Sequence, residues 1–309
     1  MIAVTGANGF VGRALVARLA GQGPVRPLVR TPRDLPGAVA VGDIGHDTDW
    51  TPALAGIDCV VHCAARVHMM QETAADPLAA FREVNVAGTR HLAESAAAAG
   101  VRRLVFLSSV KVLGERTTAG KAFRSSDTPQ PCDPYGQSKW EAEQALWEVA
   151  AATRMEVVVI RPPLVYGPGV GANFLRLAGA VRRGWPLPLG AVDNRRSMVA
   201  LDNLVDLIAL CTHHPLAAGG TFLVSDGIDL STPGLIRAMA AAIGRPARLW
   251  PVPVWLLQLG STLLGQRATV SRLVESLQVD ITDTCRRLDW QPPVTPEDGL
   301  RRTLTPEPA

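Results

Sequence analysis

Residues 1–12, Met1-Ile2-Ala3-Val4-Thr5-Gly6-Ala7-Asn8-Gly9-Phe10-Val11-Gly12, constrain the fold more than any other stretch: a short apolar strand runs into three glycines and then at once into a helix. Such a turn gathers backbone N–H groups and the positive end of a helix dipole at one point, which favours a pyrophosphate. Gly6 permits the tight turn, Gly9 lets the backbone approach the ligand, and Gly12 lets the helix sit close to the strand. Asn8, Phe10 and Val11 complete the expected cofactor loop. Phe10, Val11, Leu15, Val16 and Leu19 recur at helical spacing, and Gly21 and Gly23 end the helix. The spacing G-x-x-G-x-x-G departs from the general dinucleotide fingerprint G-x-G-x-x-G, so the loop is read with its context.

That context is an alternation of strands and helices. Val25–Val29, Val39–Ile44, Cys59–Ala65, Arg103–Ser109 and Glu156–Arg161 read as further strands, with helical patterns over Phe81–Ala99 and Trp140–Ala152 between them. Near-continuous apolar strands imply a parallel sheet covered on both faces. The expected fold is α/β, a Rossmann-like doubly wound parallel sheet whose ligand crevice lies at the strands' carboxyl ends, where Gly6, Asp43, Ala64, Ser109 and Pro163 should converge. Beyond Pro163 the chain becomes rich in loops and prolines. The division expected is a nucleotide-binding unit over 1–165, with a return near 198–225 where Thr221–Val224 reads as a strand. A smaller C-terminal substrate-binding lobe takes 166–197 and 226–309.

The residue closing the second strand selects between cofactors. An acid there would accept bonds from the adenosine ribose, but this chain has Arg30, followed by Arg33, and a guanidinium suits a 2′-phosphate. NADP(H) is thereby favoured over NAD(H), the alternative being a solvated Arg30 with Asp34 on the ribose.

Composition narrows the remaining classes. A net charge of +3 and scattered arginine pairs do not suggest nucleic acid. The five cysteines lack paired spacings, and the six histidines form no H-E-x-x-H cluster, so no metal is expected. Cys59, Cys63 and His62 read as buried strand residues. The strand signal starting at Ile2 leaves no room for a secretory signal, and Val252–Leu264 is too short and interrupted to span a bilayer. A cytoplasmic protein without membrane insertion is expected.

Ser109 at a strand end, followed by Tyr135 and Lys139 in Tyr135-Gly136-Gln137-Ser138-Lys139, carries the chemistry. Positions i and i+4 share a helix face, so the phenol and the ammonium can both reach a cofactor. A nearby ammonium and a positive nicotinamide ring would stabilise the phenolate, making Tyr135 a usable acid or base. Ser109 would hydrogen-bond the reacting oxygen, and Lys139 would also hold the nicotinamide ribose.

These motifs resemble the extended short-chain dehydrogenase/reductases of the nucleotide-sugar epimerase/dehydratase group over nearly the whole chain. The matching stretches are Thr5–Gly12, Gly42-Asp43-Ile44, His62-Cys63-Ala64-Ala65, Val84–Thr89 around Asn85, Ser108-Ser109, Tyr135 with Lys139, and Arg161–Pro168. The resemblance implies that Asp43 and Ile44 lie by the adenine, Ala64 and Ala65 along the cofactor, and Pro163 near the nicotinamide, with Asn85 supporting the site. It also implies that Asn173 and Arg196, with Arg272 a third candidate, bind a nucleotide diphosphate. Both suit it, an amide donor and a fork of N–H donors, although Asn173 could instead cap a helix and Arg272 be a surface charge. The Asp-Glu pair that sugar 4,6-dehydratases of this group carry after the strand-five hydroxyl residue is replaced by Val110 and Lys111, so that elimination lacks its groups and Lys111 becomes a candidate substrate contact. The local text is instead similar to bacterial surface-polysaccharide UDP-sugar 4-epimerases or 4-keto reductases. The expected chemistry is hydride transfer at C4 of a UDP-hexose, as epimerisation or as 4-keto reduction, with Arg30 tilting toward reduction. The rivals are a carbonyl reductase of a non-sugar ketone and a nucleotide-binding regulator without catalysis. A homodimer is expected, two helices packing between subunits being an ordinary way to make one.

Overall fold

The computed structural model describes residues 1–31, 35, 37–67, 76–118, 120–263, 265 and 267–305. The strands are β1 (Ile2–Thr5), β2 (Val25–Val29), β3 (Val39–Ala40), β4 (Cys59–His62), β5 (Arg103–Leu107), β6 (Glu156–Arg161), β7 (Leu164–Tyr166), β8 (Met198–Ala200) and β9 (Thr221–Leu223). The helices are α1 (Phe10–Ala20), α2 (Thr51–Leu54), α3 (Pro77–Arg82), α4 (Gly88–Ala98), α5 (Pro134–Ala152), α6 (Ala172–Arg182), α7 (Leu201–Cys211), α8 (Thr232–Ala242), α9 (Val254–Leu263), α10 (Arg267–Val274), α11 (Thr282–Leu288) and α12 (Pro296–Leu304).

Seven strands form one sheet in the order β3-β2-β1-β4-β5-β6-β9, every pair parallel. The chain winds outward from β1 to β2 and β3, then returns to the other side of β1 for β4 onward. This makes the carboxyl ends of β1 and β4 the switch point, where an α/β sheet opens its crevice. Register sets Thr5 of β1 level with His62 of β4, and His62 level with Phe106 of β5. One face is covered by α1 and α7 over a core that includes Val4, Leu15, Val61, Val158 and Leu204. The other is covered by α2, α4 and α5 over Leu28, Trp50, Val60, Leu92, Phe106 and Leu146. A third apolar cluster, including Tyr166, Phe174, Met198, Ile236 and Leu300, gathers α6, α8 and α12.

The doubly wound parallel sheet is the fold expected, and Thr221–Leu223 does return to it beside β6. Several details differ. The third strand ends at Ala40 rather than Ile44, because Gly42 takes a left-handed φ of 71° and turns the chain out of the sheet. The fourth strand stops at His62 and the fifth at Leu107. The pattern over Phe81–Ala99 is α3 and α4 joined through a π-helical turn, Glu83–Ala87. The long helix opens at Pro134, with Tyr135 in its first turn as expected from the i, i+4 spacing and Asp133 as its cap, accepting from the N–H of Gly136. Beyond Pro163, β7 and β8 form a separate parallel pair, so Met198–Ala200, the expected start of the return toward the nucleotide-binding unit, does not join the main sheet.

Among the described residues no helix is long and apolar enough to cross a membrane, and no cluster of His, Cys, Asp or Glu could hold a metal. The five cysteines are free, Cys59 and Cys211 buried and Cys132 exposed.

Candidate active site at the carboxyl ends of the central strands

The glycine loop is built by close approach. Gly6 has a left-handed φ of 63°, and a Cβ there would stand 2.9 Å from the Ala64 backbone at the end of β4. A Cβ on Gly12 would stand 2.1 Å from the Gly6 carbonyl, so only glycine lets α1 begin so near β1. Gly9 opens α1 with no side-chain cap, and no acidic residue stands in its first turn. The orphan N–H groups of that turn therefore face an anion without competition, which fits a dinucleotide pyrophosphate. Asn8 and Gly9 are exposed, while Phe10, Val11, Ala64 and Ala65 are half-buried around them.

Beneath the loop, buried His62 bridges two elements. Its Nδ1 meets Thr5 Oγ1 at 2.7 Å and its Nε2 meets Thr89 Oγ1 at 3.0 Å, and burial brings the imidazole down to about 3. It is a neutral core histidine, as its strand position suggested. Thr5 Oγ1 also accepts from Ala64 N at 3.2 Å, fixing the small-residue segment that lines the crevice.

Arg30 and Asp43, assigned separate tasks from sequence, meet each other: Arg30 Nε lies 2.8 Å from Asp43 Oδ1 in an exposed ion pair. The guanidinium expected at a 2′-phosphate is thus already engaged by the carboxylate expected at the adenine. Ile44, beside Asp43, packs so closely on α4 that a Cβ at Gly88 would come within 2.6 Å of it. Arg33, Asp34 and His68 lie outside the described residues.

Ser109 leaves β5 in extended conformation and caps the short turn Val110–Val112, its Oγ accepting from Lys111 N at 3.2 Å. Three contacts bring the start of α5 onto that turn. A Cβ on Gly136 would stand 2.7 Å from the Lys111 carbonyl, the Lys111 ammonium pairs with Asp133, and Gln130 N donates to Val112 O at 2.9 Å. Tyr135 is thereby carried to the Ser109 turn. Buried Pro163 follows β6 at the same end, and the Pro162 carbonyl accepts from Val110 N at 2.9 Å.

Lys139, one turn below Tyr135, is buried with its ammonium 4.2 Å from the Phe106 ring centroid. Burial brings it down to about 8, against the opposing pull of Glu143 and Cys63. Burial also lifts the Tyr135 phenol to about 12, and the Asp133 carboxylate adds to this. The expected phenolate is therefore not produced by the protein's own groups, because burial disfavours the charged form of either side chain. Asn85 sits in the π-helical turn, a common device at functional sites. Its Oδ1 accepts from Arg66 N at 2.8 Å, and its Nδ2 donates to Arg66 O and to Ser138 Oγ, both at 3.0 Å. Ser138 Oγ in turn donates to Tyr135 O at 2.8 Å, so Asn85 ties the segment after β4 to the turn of α5 that carries Tyr135.

Residues 2–224 match the model of the NAD dependent epimerase/dehydratase family. The chain belongs to that family. It is 46% identical to a UDP-glucose 4-epimerase of Vibrio cholerae, over 98% of this chain and 94% of the relative. A short-chain dehydrogenase/reductase superfamily protein from Agrobacterium tumefaciens, solved with bound NAD, superposes with a TM-score of 0.76 at 25% identity, covering 99% of this chain and 96% of that one. A UDP-glucose 4-epimerase from Thermotoga maritima, solved with UDP-glucose, superposes at 0.76 with 21% identity, over 98% and 97% of the two chains.

The structure also places the residues expected at the diphosphate. Arg196 is held between Leu230 and Leu277, and its Nη1 donates to Glu275 O at 3.0 Å. Burial and the charge of Arg272 both lower its proton affinity. Glu275 stands three residues after Arg272, so Arg196 is held against the end of the segment that carries Arg272. Asn173 lies in the first turn of α6, its side chain outside the description. Lys111, besides Asp133, lies 3.7 Å from Glu115.

Sequence reading named Ser108 and Arg161 but missed Glu143, which links them next to Ser109. Ser108 Oγ donates to Glu143 Oε1, and Arg161 grips the same carboxylate with Nε to Oε1 at 3.0 Å and Nη2 to Oε2 at 2.6 Å. All three are buried. An arginine ending an apolar strand was the available signal, since such a charge needs a partner. Gly136 and Asp133 were likewise visible, as an Asp-Pro helix start followed by a glycine.

Proposed function

We propose that this protein is a 4-epimerase of a sugar carried on uridine diphosphate, with NAD(H) as its retained cofactor. The observation carrying the reading is the convergence of Ser109, Tyr135 and Lys139 on a switch-point crevice whose glycine loop suits a dinucleotide pyrophosphate. The Vibrio cholerae relative, a UDP-glucose 4-epimerase, supports the sugar and the carbon. The engagement of Arg30 by Asp43 favours NAD(H) over NADP(H).

Gly6, Gly9 and Gly12 with the first turn of α1 would hold the pyrophosphate, Asp43 and Ile44 the adenosine end, and Asn85, Ala64, Ala65 and Pro163 the wall behind the nicotinamide. Bound there, the dinucleotide supplies a hydride acceptor that gives the hydride back at C4. Tyr135 exchanges the proton of the C4 oxygen, and in the protonated form that its surroundings favour it is the donor needed when a C4 ketone is reduced. Ser109 hydrogen-bonds that oxygen and Lys139 orients the ribose. Arg196, with Arg272, Asn173 and Lys111, would hold the substrate lobe's diphosphate, and a turn of the sugar between the two transfers would give the epimer.

Proton NMR of the purified protein with UDP-glucose, and separately with UDP-N-acetylglucosamine, without added cofactor, tests this. The C4 epimer is expected to accumulate with at least one of them. No conversion of either overturns the reading and favours reduction of a 4-keto sugar supplied from outside. Tyr135→Phe is expected to lower kcat by about 10² to 10⁴-fold.

A further inference from the structure

A patch of large apolar side chains lies beyond α8, outside the crevice. Trp250, Trp255 and Leu259 are 62%, 63% and 55% exposed, and Trp185 and Leu256 are exposed with them. They share one region: Trp250 N donates to Leu187 O at 2.9 Å, alongside Trp185, and α9 starts four residues after Trp250. Within α9, Val254 and Leu257 pack on the third apolar cluster, whereas Trp255, Leu256 and Leu259 turn away from it. The helix carries no charged residue.

The two segments that carry this patch, bounded by Asp193, Asp229 and Glu275, hold charge of one sign. From 230 to 274 the chain has five arginines and no acid, and from 167 to 192 three arginines and no acid. These eight charges exceed the +3 of the whole chain, so the remainder is net acidic. Arg183 stacks on the Trp185 ring at 5.1 Å, and Arg248 approaches Gly184.

We infer that this face docks on an anionic phospholipid bilayer, with α9 lying in the interface and not crossing it. Tryptophan and leucine on one helix face with arginines around them suit the boundary between headgroups and acyl chains. Each arginine near an anionic surface adds attraction, which gives the occupant its charge. Since α10 packs against α9 and bears Arg272, docking sets Arg272 near the headgroup layer.

Co-sedimentation with vesicles of phosphatidylglycerol and phosphatidylethanolamine, against vesicles of phosphatidylcholine alone, tests the inference. The protein is expected to bind the first and not the second, and the double variant Trp255→Ser, Leu259→Ser to bind about ten-fold more weakly. The same variant should keep its melting temperature and its UDP-sugar turnover in solution. Absence of binding to anionic vesicles, or equal binding by the variant, overturns the inference. Light scattering in which the variant halves the mass of the particle also overturns it, since the face would then be covered by a second copy. Failure of UDP-sugar turnover with vesicle binding intact counts against the proposed reaction alone.

Discussion

Lys139 is a point at which catalysis and stability pull apart. An ammonium without water loses solvation that the 4.2 Å contact with Phe106 replaces only in part, and the side chain falls from 10.5 to about 8. Between those two values the unfolded chain holds a proton that the folded one has released. Stability therefore rises with pH across that window, and the cost of burial is fully present below about 8. Lys139→Met is expected to raise stability at pH 7 by on the order of 1–3 kcal/mol while lowering turnover at least about 100-fold. Urea denaturation of both proteins between pH 7 and 10.5 checks this, because the gain should shrink as pH rises through the window. A destabilised variant at pH 7 would mean that the ammonium is compensated by its surroundings. His62 acts at the opposite end of the scale. With its folded value about 3 and its unfolded value 6.5, it leaves stability intact above 6.5 and withdraws it as pH falls toward 3. His62→Gln should flatten that part of an acid-unfolding curve.

At the scale of elements, what was legible in the sequence was what repeats locally. The strand periods, the glycine loop and the i, i+4 spacing of Tyr135 and Lys139 each reside within a few neighbouring residues, and each is found where expected. The π-helical turn at Asn85 was not legible, because an alanine-rich helix keeps its periodicity on either side of one widened turn. The early end of the third strand depended on Gly42 taking a positive φ, which glycine permits but does not announce. The Ser108–Glu143–Arg161 cluster was hidden because its members come from three elements, 18 and 35 residues apart in the bonds they make. That cluster joins β5, α5 and β6 directly below Ser109, so breaking it should be costly. Arg161→Met leaves Glu143 buried without its cation and is expected to cost about 3–5 kcal/mol. Adding Glu143→Gln should restore part of that loss, and a double-mutant cycle by denaturant unfolding measures the coupling. Additive losses would mean that the two side chains do not depend on each other.

Across the whole molecule, the division expected between Val165 and Tyr166 falls on a junction that holds the chain together. The Tyr166 hydroxyl donates to Asp226 Oδ2 at 2.7 Å, and Asp226 Oδ1 accepts from Ala200 N and Asn203 Nδ2, both at 2.7 Å. Asn203 continues the link by exchanging two bonds with the Val294 backbone, just before α12. One buried carboxylate thus fastens β7, β8, α7 and the C-terminal stretch, although burial raises its proton affinity against those three donors. These hydrogen bonds do not include the glycine loop, although Phe10 packs against the apolar cluster that holds Tyr166. They do fix the route from β8 back to Arg196, two residues before Met198, and so the distance from the diphosphate candidates to Tyr135. Asp226→Asn keeps the volume but turns an amide N–H donor toward groups that are themselves donors, which should cost about 1–3 kcal/mol. In protein that remains folded, calorimetry should then show weakened UDP binding with NAD binding unchanged, because the proposed reading puts the two ligands on different sides of this junction. Equal weakening of both would mean that the junction also sets the shape of the crevice at the carboxyl ends of β1 and β4, and that the two binding regions cannot be loosened separately.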